Sequence, residues 1–366
     1  MKFTGERSVL LKEIAIAQEI ISSKNAISIL SNIYLEAEQD TLSIKATDIK
    51  VNFQTTVPVI VIEPGSTTVF GDKFLGILNA IPEGEIEFEQ VDTKITIRPT
   101  FKKIRFQLKS IASEKFPEFP APQQEKAFEM PVKDFKEMIL QTIFAVSDDE
   151  TRYFMNGVFF EKAEDKLVMV ATDGRRLAYI SKALDTAIED FPGIIIPPKI
   201  LHIIMKRAGD EGLISISVSD TIIFIQFGSY NLSSVLIEGQ FPNYHRVIPE
   251  NQSSSFIVNR LEMLDALKRV SLLVEQKSHR VYLGLSAATI AVYSEESDIG
   301  TAKEEIPCKY EGEEVAIALN YRYLEEPFKV MEDTEICIQF TEATRAITIL
   351  PEPAKDFFHI VMPMQL

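Results

Sequence analysis

The 366-residue chain has two cysteines, four histidines and no apolar run near the ~20 residues that span a bilayer. Cys308 and Cys337 both fall in strand-like stretches and read as reduced packing residues, so no disulfide framework is expected. His202, His245, His279 and His359 are scattered, without the paired ligand spacing of a metal site, and neither metal nor cofactor is expected. Glycine is sparse and forms no phosphate-cradling loop, no GxGxxG after a strand and no G-x-S-x-G elbow, which argues against an enzyme. The first residues are apolar but broken by Arg7, Lys12 and Glu13, unlike a secretory signal, and a cytoplasmic protein is expected.

What is present is a threefold repetition at a period of about 125 residues. Phe3, Phe128 and Phe256 each lead an extended stretch into an apolar helical pattern. A strand pair follows: Asn32–Leu35 with Ile44–Asp48, Asn156–Phe159 with Val170–Asp173, and more loosely Arg280–Leu283 with Ile290–Tyr293. A second helix recurs from Asp72, Pro198 and Asn320, where polar or proline starts suit an N-terminus. An alternating hairpin closes each copy, as Ile86–Phe88 with Ile95–Ile97, Ile214–Ile216 with Ile223–Ile225, and Ile336–Ile338 with Ile347–Ile349. Proline-rich Lys115–Gln124 and polar Pro249–Ser255 have linker composition, which sets domains at 1–122, 126–248 and 254–366.

The formal charge of −16 is uneven: −3 over residues 1–125, −4 over 126–249 and −9 over 250–366. Acidic runs such as Asp148–Glu150, Glu295–Glu296 and Glu304–Glu305 read as solvated faces or partner contacts rather than acid–base pairs. Lys102, Lys103 and Arg105, flanked by Phe101, Ile104 and Phe106, could meet an acidic, apolar face on the third domain of another copy. Such a head-to-tail contact makes a filament or a ring according to whether its rotation closes.

Four motifs in this order, within a triplicated chain, carry a resemblance over the whole length: Arg152–Gly157, Thr172–Ala178, Phe241–Pro249 and Val361–Leu366. The chain resembles the bacterial DNA polymerase III beta subunit family of sliding clamps. The resemblance implies an α+β fold of three repeated clamp-type domains, with outer antiparallel sheets and inner helices, closed as a head-to-tail dimeric ring around double-stranded DNA. Enclosure suits an acidic protein, because a closed ring holds DNA by topology where counterion release cannot supply the affinity. Lys24, Lys73, Tyr153, Phe154, Lys199, Lys206 and Arg207 are the expected DNA contacts, with Phe154 open to a core role and Asp148 and Asp149 opposing phosphate contact at that loop.

The resemblance also implies a groove for a short Gln-Leu-x-Leu-Phe kind of peptide from the DNA polymerase III alpha subunit, the clamp loader, and other polymerases and repair proteins. Its expected lining is Met155, Thr172, Gly174, Arg175, Arg176, Leu177, Pro242, Arg246, Val247, Ile360, Met362, Pro363, Met364 and Leu366. Arg175 stands where His is frequent and Gln365 where Arg is, which bears on peptide preference. At the dimer seam, Arg105 and Phe106 should meet Leu272 and Leu273, bordered by Glu304 and Glu305, unless Leu272–Leu273 is the buried end of a helix. Two other readings stand beside this one: a triplicated adaptor that recruits peptides without encircling DNA, and a phosphoester-processing site at Asp173, Arg175 and Arg176.

Overall fold

The structure, a computed structural model, describes residues 1–21, 28–122, 127–184 and 188–365. Among the described residues six α-helices fall at the two expected places in each repeat: α1 Arg7–Ile20, α2 Gly71–Ala80, α3 Val132–Thr142, α4 Pro198–Arg207, α5 Arg260–Val270 and α6 Tyr321–Val330. Local chemistry explains most of the starts. Asn259 and Asn320 accept backbone N–H bonds from the first turns of α5 and α6, and α4 opens on Pro198, whose missing N–H is no loss there. Asp72 does not cap α2; it sits in the first turn, where its charge meets the positive end of the helix dipole.

The strands form antiparallel sheets of five, eight and twelve members. All three expected hairpins are present: Glu85–Val91 pairs with Lys94–Pro99, Leu213–Val218 with Ile222–Phe227, and Glu335–Phe340 with Ile347–Glu352. Their inward residues, among them Ile86, Phe88, Ile95, Ile97, Ile214, Ile216, Ile336 and Ile349, are essentially inaccessible. Each such side chain contributes about 2 kcal/mol of burial, and this drive, with period-two alternation, sets the register.

By its internal contacts the chain divides into two compact units. Met1–Lys133 with Lys199–Leu236 holds the five- and eight-stranded sheets; Asp134–Pro198 with Ile237–Leu366 holds the twelve-stranded sheet. In the first, Phe3 stacks on Phe88 at 5.0 Å and Phe74 meets the same ring edge-on at 5.8 Å. In the second, Phe135 meets Phe160 edge-on at 6.1 Å.

Among the described residues, each unit contains one junction where strands of different repeats pair. In the first unit Val51–Pro58 pairs with Tyr230–Val235, placing Asn52 opposite Ser233. In the second, Arg176–Ala183 pairs with Phe357–Val361, placing Leu177 opposite Ile360. The Lys115–Pro122 stretch is no bare linker, since Phe116 is buried and packs on Tyr34 at 5.5 Å.

Cys308 and Cys337 are buried free thiols in strands of the third repeat, and burial raises both thiol pKa values. Among the described residues no helix is long and apolar enough to cross a membrane.

Candidate functional site: an apolar groove at a strand junction

The second junction carries most of the residues expected to line the groove. Leu177 and Ile360, paired across the ladder, are each 3% exposed and join Val168, Val170, Ile195, Phe241 and Tyr244 in one apolar cluster. The Phe241–Val247 motif is held by aromatic packing, with Phe241 stacked on Phe159 at 4.7 Å. Tyr244 donates from its hydroxyl to Glu161 at 2.6 Å, and burial followed by that carboxylate raises the phenol pKa. This seats the short turn Tyr244–Val247 so that Val247 remains 53% exposed. Met362, 46% exposed, is held by its backbone N–H on the Arg175 carbonyl at 2.9 Å, and Met364 is held likewise on the Ala318 carbonyl at 2.8 Å. Val247 and Met362 are thus exposed apolar side chains flanking this junction in sequence, and an unbranched thioether adapts to differing side chains.

The turn preceding Leu177 is a dense local network. Thr172 Oγ1 donates to the Arg176 carbonyl at 2.6 Å and accepts the Gly174 N–H at 3.0 Å. Asp173 accepts the Arg175 and Arg176 N–H groups at 2.8 and 3.1 Å. Gly174 adopts φ +88°, a left-handed conformation that glycine takes without a Cβ clash.

Arg176 is engaged within the chain. Its side chain is only 11% exposed and donates to Asp173 at 3.0 Å, to Glu326 and to the Phe144 carbonyl at 2.7 Å, while its guanidinium lies 4.7 Å from the Tyr323 ring. It is a clip beneath the groove, joining the turn to α6, and Asp173 is spent on the same clip. A phosphoester site at Asp173, Arg175 and Arg176 therefore lacks a free carboxylate. Met155 is buried, Thr172 nearly so, Gly174, Arg175 and Arg246 are exposed, and Pro242, Pro363 and Met364 are half-buried. Leu366 lies outside the described residues.

Behind the strand, His359 is 1% exposed and pairs through Nε2 with Gln141 Oε1 at 3.2 Å, with Phe144 5.3 Å away. Burial, then the nearby Arg176 charge, lowers its pKa from 6.5 to about 3. Between those values the unfolded chain takes up a proton that the folded chain refuses. The His359 contribution is thus complete above pH 6.5 and is lost as pH falls toward 3, on the order of 5 kcal/mol in all. Urea titrations at pH 7, 5 and 4 should show this loss, and His359→Gln should reduce it; equal pH slopes would refute the assignment.

Among the expected DNA contacts, Tyr153 is 53% exposed, whereas Phe154 is half-buried and packs against the apolar cluster. Asp149 caps its own loop, accepting from Thr151 N and Oγ1 and from Arg152 Nε, and these bonds lower its pKa to about 2. Lys199 is spent internally on the Ile20 carbonyl and Asp48, at 2.7 and 2.6 Å. Lys206 pairs with Glu19, Arg207 donates to the Lys12 carbonyl, and exposed Lys73 pairs with Asp72. Lys24 lies outside the described residues.

At the expected seam, Leu272 is 78% exposed, so it is not a buried helix end. Arg105 is exposed and Phe106 half-buried. Glu304 receives a bidentate bond from Arg269 at 2.8 and 2.6 Å and Glu305 pairs with Lys303, contacts that lower both carboxyl pKa values.

Fold and site together define a triplicated α+β docking protein. Three family models match in succession: the DNA polymerase III beta subunit N-terminal domain over residues 1–120, the central domain over 129–243 and the C-terminal domain over 245–365. The beta sliding clamp of Treponema pallidum is 46% identical and that of Rickettsia bellii 30%, each alignment covering 100% of both chains. Among solved structures, the DNA polymerase sliding clamp of Bacillus subtilis superposes with a TM-score of 0.93 at 28% identity, covering 100% of this chain and 99% of its own. A Pseudomonas aeruginosa sliding clamp bound to griselimycin gives 0.94 at 25% identity, with 100% of both chains covered. The chain belongs to the DNA polymerase III beta subunit family, a family of non-catalytic processivity factors.

Proposed function

We propose that two copies of this chain, each of three domains at 1–122, 126–248 and 254–366, close head to tail around duplex DNA in the cytoplasm and slide on it. The groove at Leu177, Val247, Ile360 and Met362 then tethers the DNA polymerase III alpha subunit, the clamp loader, and other polymerases and repair proteins through a Gln-Leu-x-Leu-Phe kind of peptide. Full-length family membership carries the reading.

The repeated junction supports the closure. A last strand of one repeat pairs with the fourth strand of the preceding repeat at both internal junctions. The corresponding strands left over are Phe106–Lys109 and Lys303–Lys309. The former pairs on one side only among the described residues, and the latter meets the Ser254–Asn259 strand only at its far end. Open ladder edges seek partners, and here the basic Lys102–Arg105 stretch would meet Glu304 and Glu305 of the second copy. Light scattering of the full chain should report twice the chain mass. Leu272→Asp, at an exposed position, should weaken that association roughly 100-fold, as expected for losing a buried aliphatic anchor. A wild-type chain that stays single at high concentration would contradict the ring.

A further inference from the structure

The first junction repeats the strand pairing and turn bonding of the second position for position. Thr47 faces Asn52 and Asn52 faces Ser233, as Thr172 faces Leu177 and Leu177 faces Ile360. Asp48 accepts the Lys50 and Val51 N–H groups as Asp173 accepts those of Arg175 and Arg176. The Val235 N–H binds the Lys50 carbonyl at 2.8 Å, as that of Met362 binds the Arg175 carbonyl at 2.9 Å. Phe116-Pro117-Glu118-Phe119 stands in for Phe241-Pro242-Asn243-Tyr244, with Phe116 on Tyr34 as Phe241 is on Phe159. Over this junction lies a cavity of about 450 Å³, lined among others by Ile49, Pro117, Phe119, Ile222 and Val235.

Two features separate the sites. The floor is polar, because Asn52 Oδ1 accepts from Thr47 Oγ1 at 2.6 Å and Asn52 Nδ2 donates to Ser233 Oγ at 2.9 Å, where the groove has Leu177 and Ile360. The turn carries Ile49 at the position of Gly174, at φ +78° and 60% exposed. A β-branched residue in the left-handed region is strained, and an exposed isoleucine recovers nothing by burial within the chain. Held strain and an exposed aliphatic side chain at the mouth of a cavity together point to contact with something outside the chain.

We propose that the first junction is a second docking groove, which takes an extended peptide of the same aliphatic–aromatic class more weakly than the first, with Ile49 and Val235 gripping the anchor and Asn52 limiting its depth. This inference rests on the peptide reading of the first groove. An aliphatic anchor that meets a closed hydrogen-bonded floor gains only the lateral contacts, so the second site should be the weaker.

Native mass spectrometry and calorimetry on the full chain, with a Gln-Leu-x-Leu-Phe peptide in excess, test it. Wild type should bind one peptide tightly and a second weakly per chain. Asn52→Leu should strengthen the second step about tenfold by extending the apolar floor. Ile49→Gly should abolish the second step while raising the melting temperature, since glycine relieves the left-handed strain. The first step should be unchanged in both variants. A single peptide per chain in wild type and in Asn52→Leu, or a second step indifferent to Ile49→Gly, would overturn the proposal. Loss of the first step with the second retained would overturn the first-groove reading alone.

Discussion

The double substitution Val247→Asp and Met362→Asp should weaken binding of a Gln-Leu-x-Leu-Phe peptide by roughly 100-fold or more, with the melting temperature of the chain unchanged. The magnitude follows from burial: a fully buried aliphatic or aromatic anchor is worth about 2–3 kcal/mol, and a carboxylate at the rim adds a desolvation cost on top of the lost contact. Stability should hold because both residues are about half exposed and neither belongs to the buried floor. Fluorescence anisotropy with a labelled peptide reads the affinity and differential scanning calorimetry the fold. A loss below threefold would place the peptide elsewhere.

Arg176→Ala should destabilise the chain by about 1.5–3 kcal/mol, because it removes a charged donor from half-buried Asp173 and from Glu326 and leaves the Phe144 carbonyl without its donor. Arg176→Lys should recover only part of this. One ammonium cannot serve two carboxylates and a carbonyl in the planar geometry of a guanidinium, nor stack on Tyr323 in the same way. Peptide affinity should fall as well, because the clip positions the start of the Leu177 strand. Urea unfolding measures the first effect; a change below about 1 kcal/mol, the usual worth of an exposed pair, would mean that the clip is not buried as described.

The local part of this architecture was legible in the sequence because its signals are local. Alternation placed the three hairpins, and Asn320 and Pro198 marked helix starts through chemistry confined to one turn. The junctions were not legible, since the Asn52–Ser233 pair spans 181 residues and neither residue type announces a strand partner. The partners of Arg176 are hidden in the sequence for a related reason. A basic residue in a recognised motif looks like a peptide contact until Glu326, 150 residues away, is found beside it. The groove residues follow from resemblance rather than from pattern, and nothing local in the first repeat marks their equivalents. Thr47-Asp48 beside Thr172-Asp173, and Phe116-Pro117 beside Phe241-Pro242, were nonetheless repeated signals in the chain.

Net charge shapes the account as much as the groove does. With a formal charge of −16, and with Lys199, Lys206 and Arg207 engaged within the chain, strong counterion-release binding to duplex DNA has little to draw on. Association must then come from closure, and few direct bonds to phosphate leave the ring free to move along the duplex.

Retention on DNA of differing topology tests that claim most directly. The full chain would be loaded by a clamp loader onto nicked circular DNA and the complex isolated by gel filtration in high salt, before and after linearisation by a single cut. Enclosure predicts that the protein stays with the circle and leaves the linear molecule by sliding off its ends. Equal retention on both forms, or loss from both as salt rises, would contradict it.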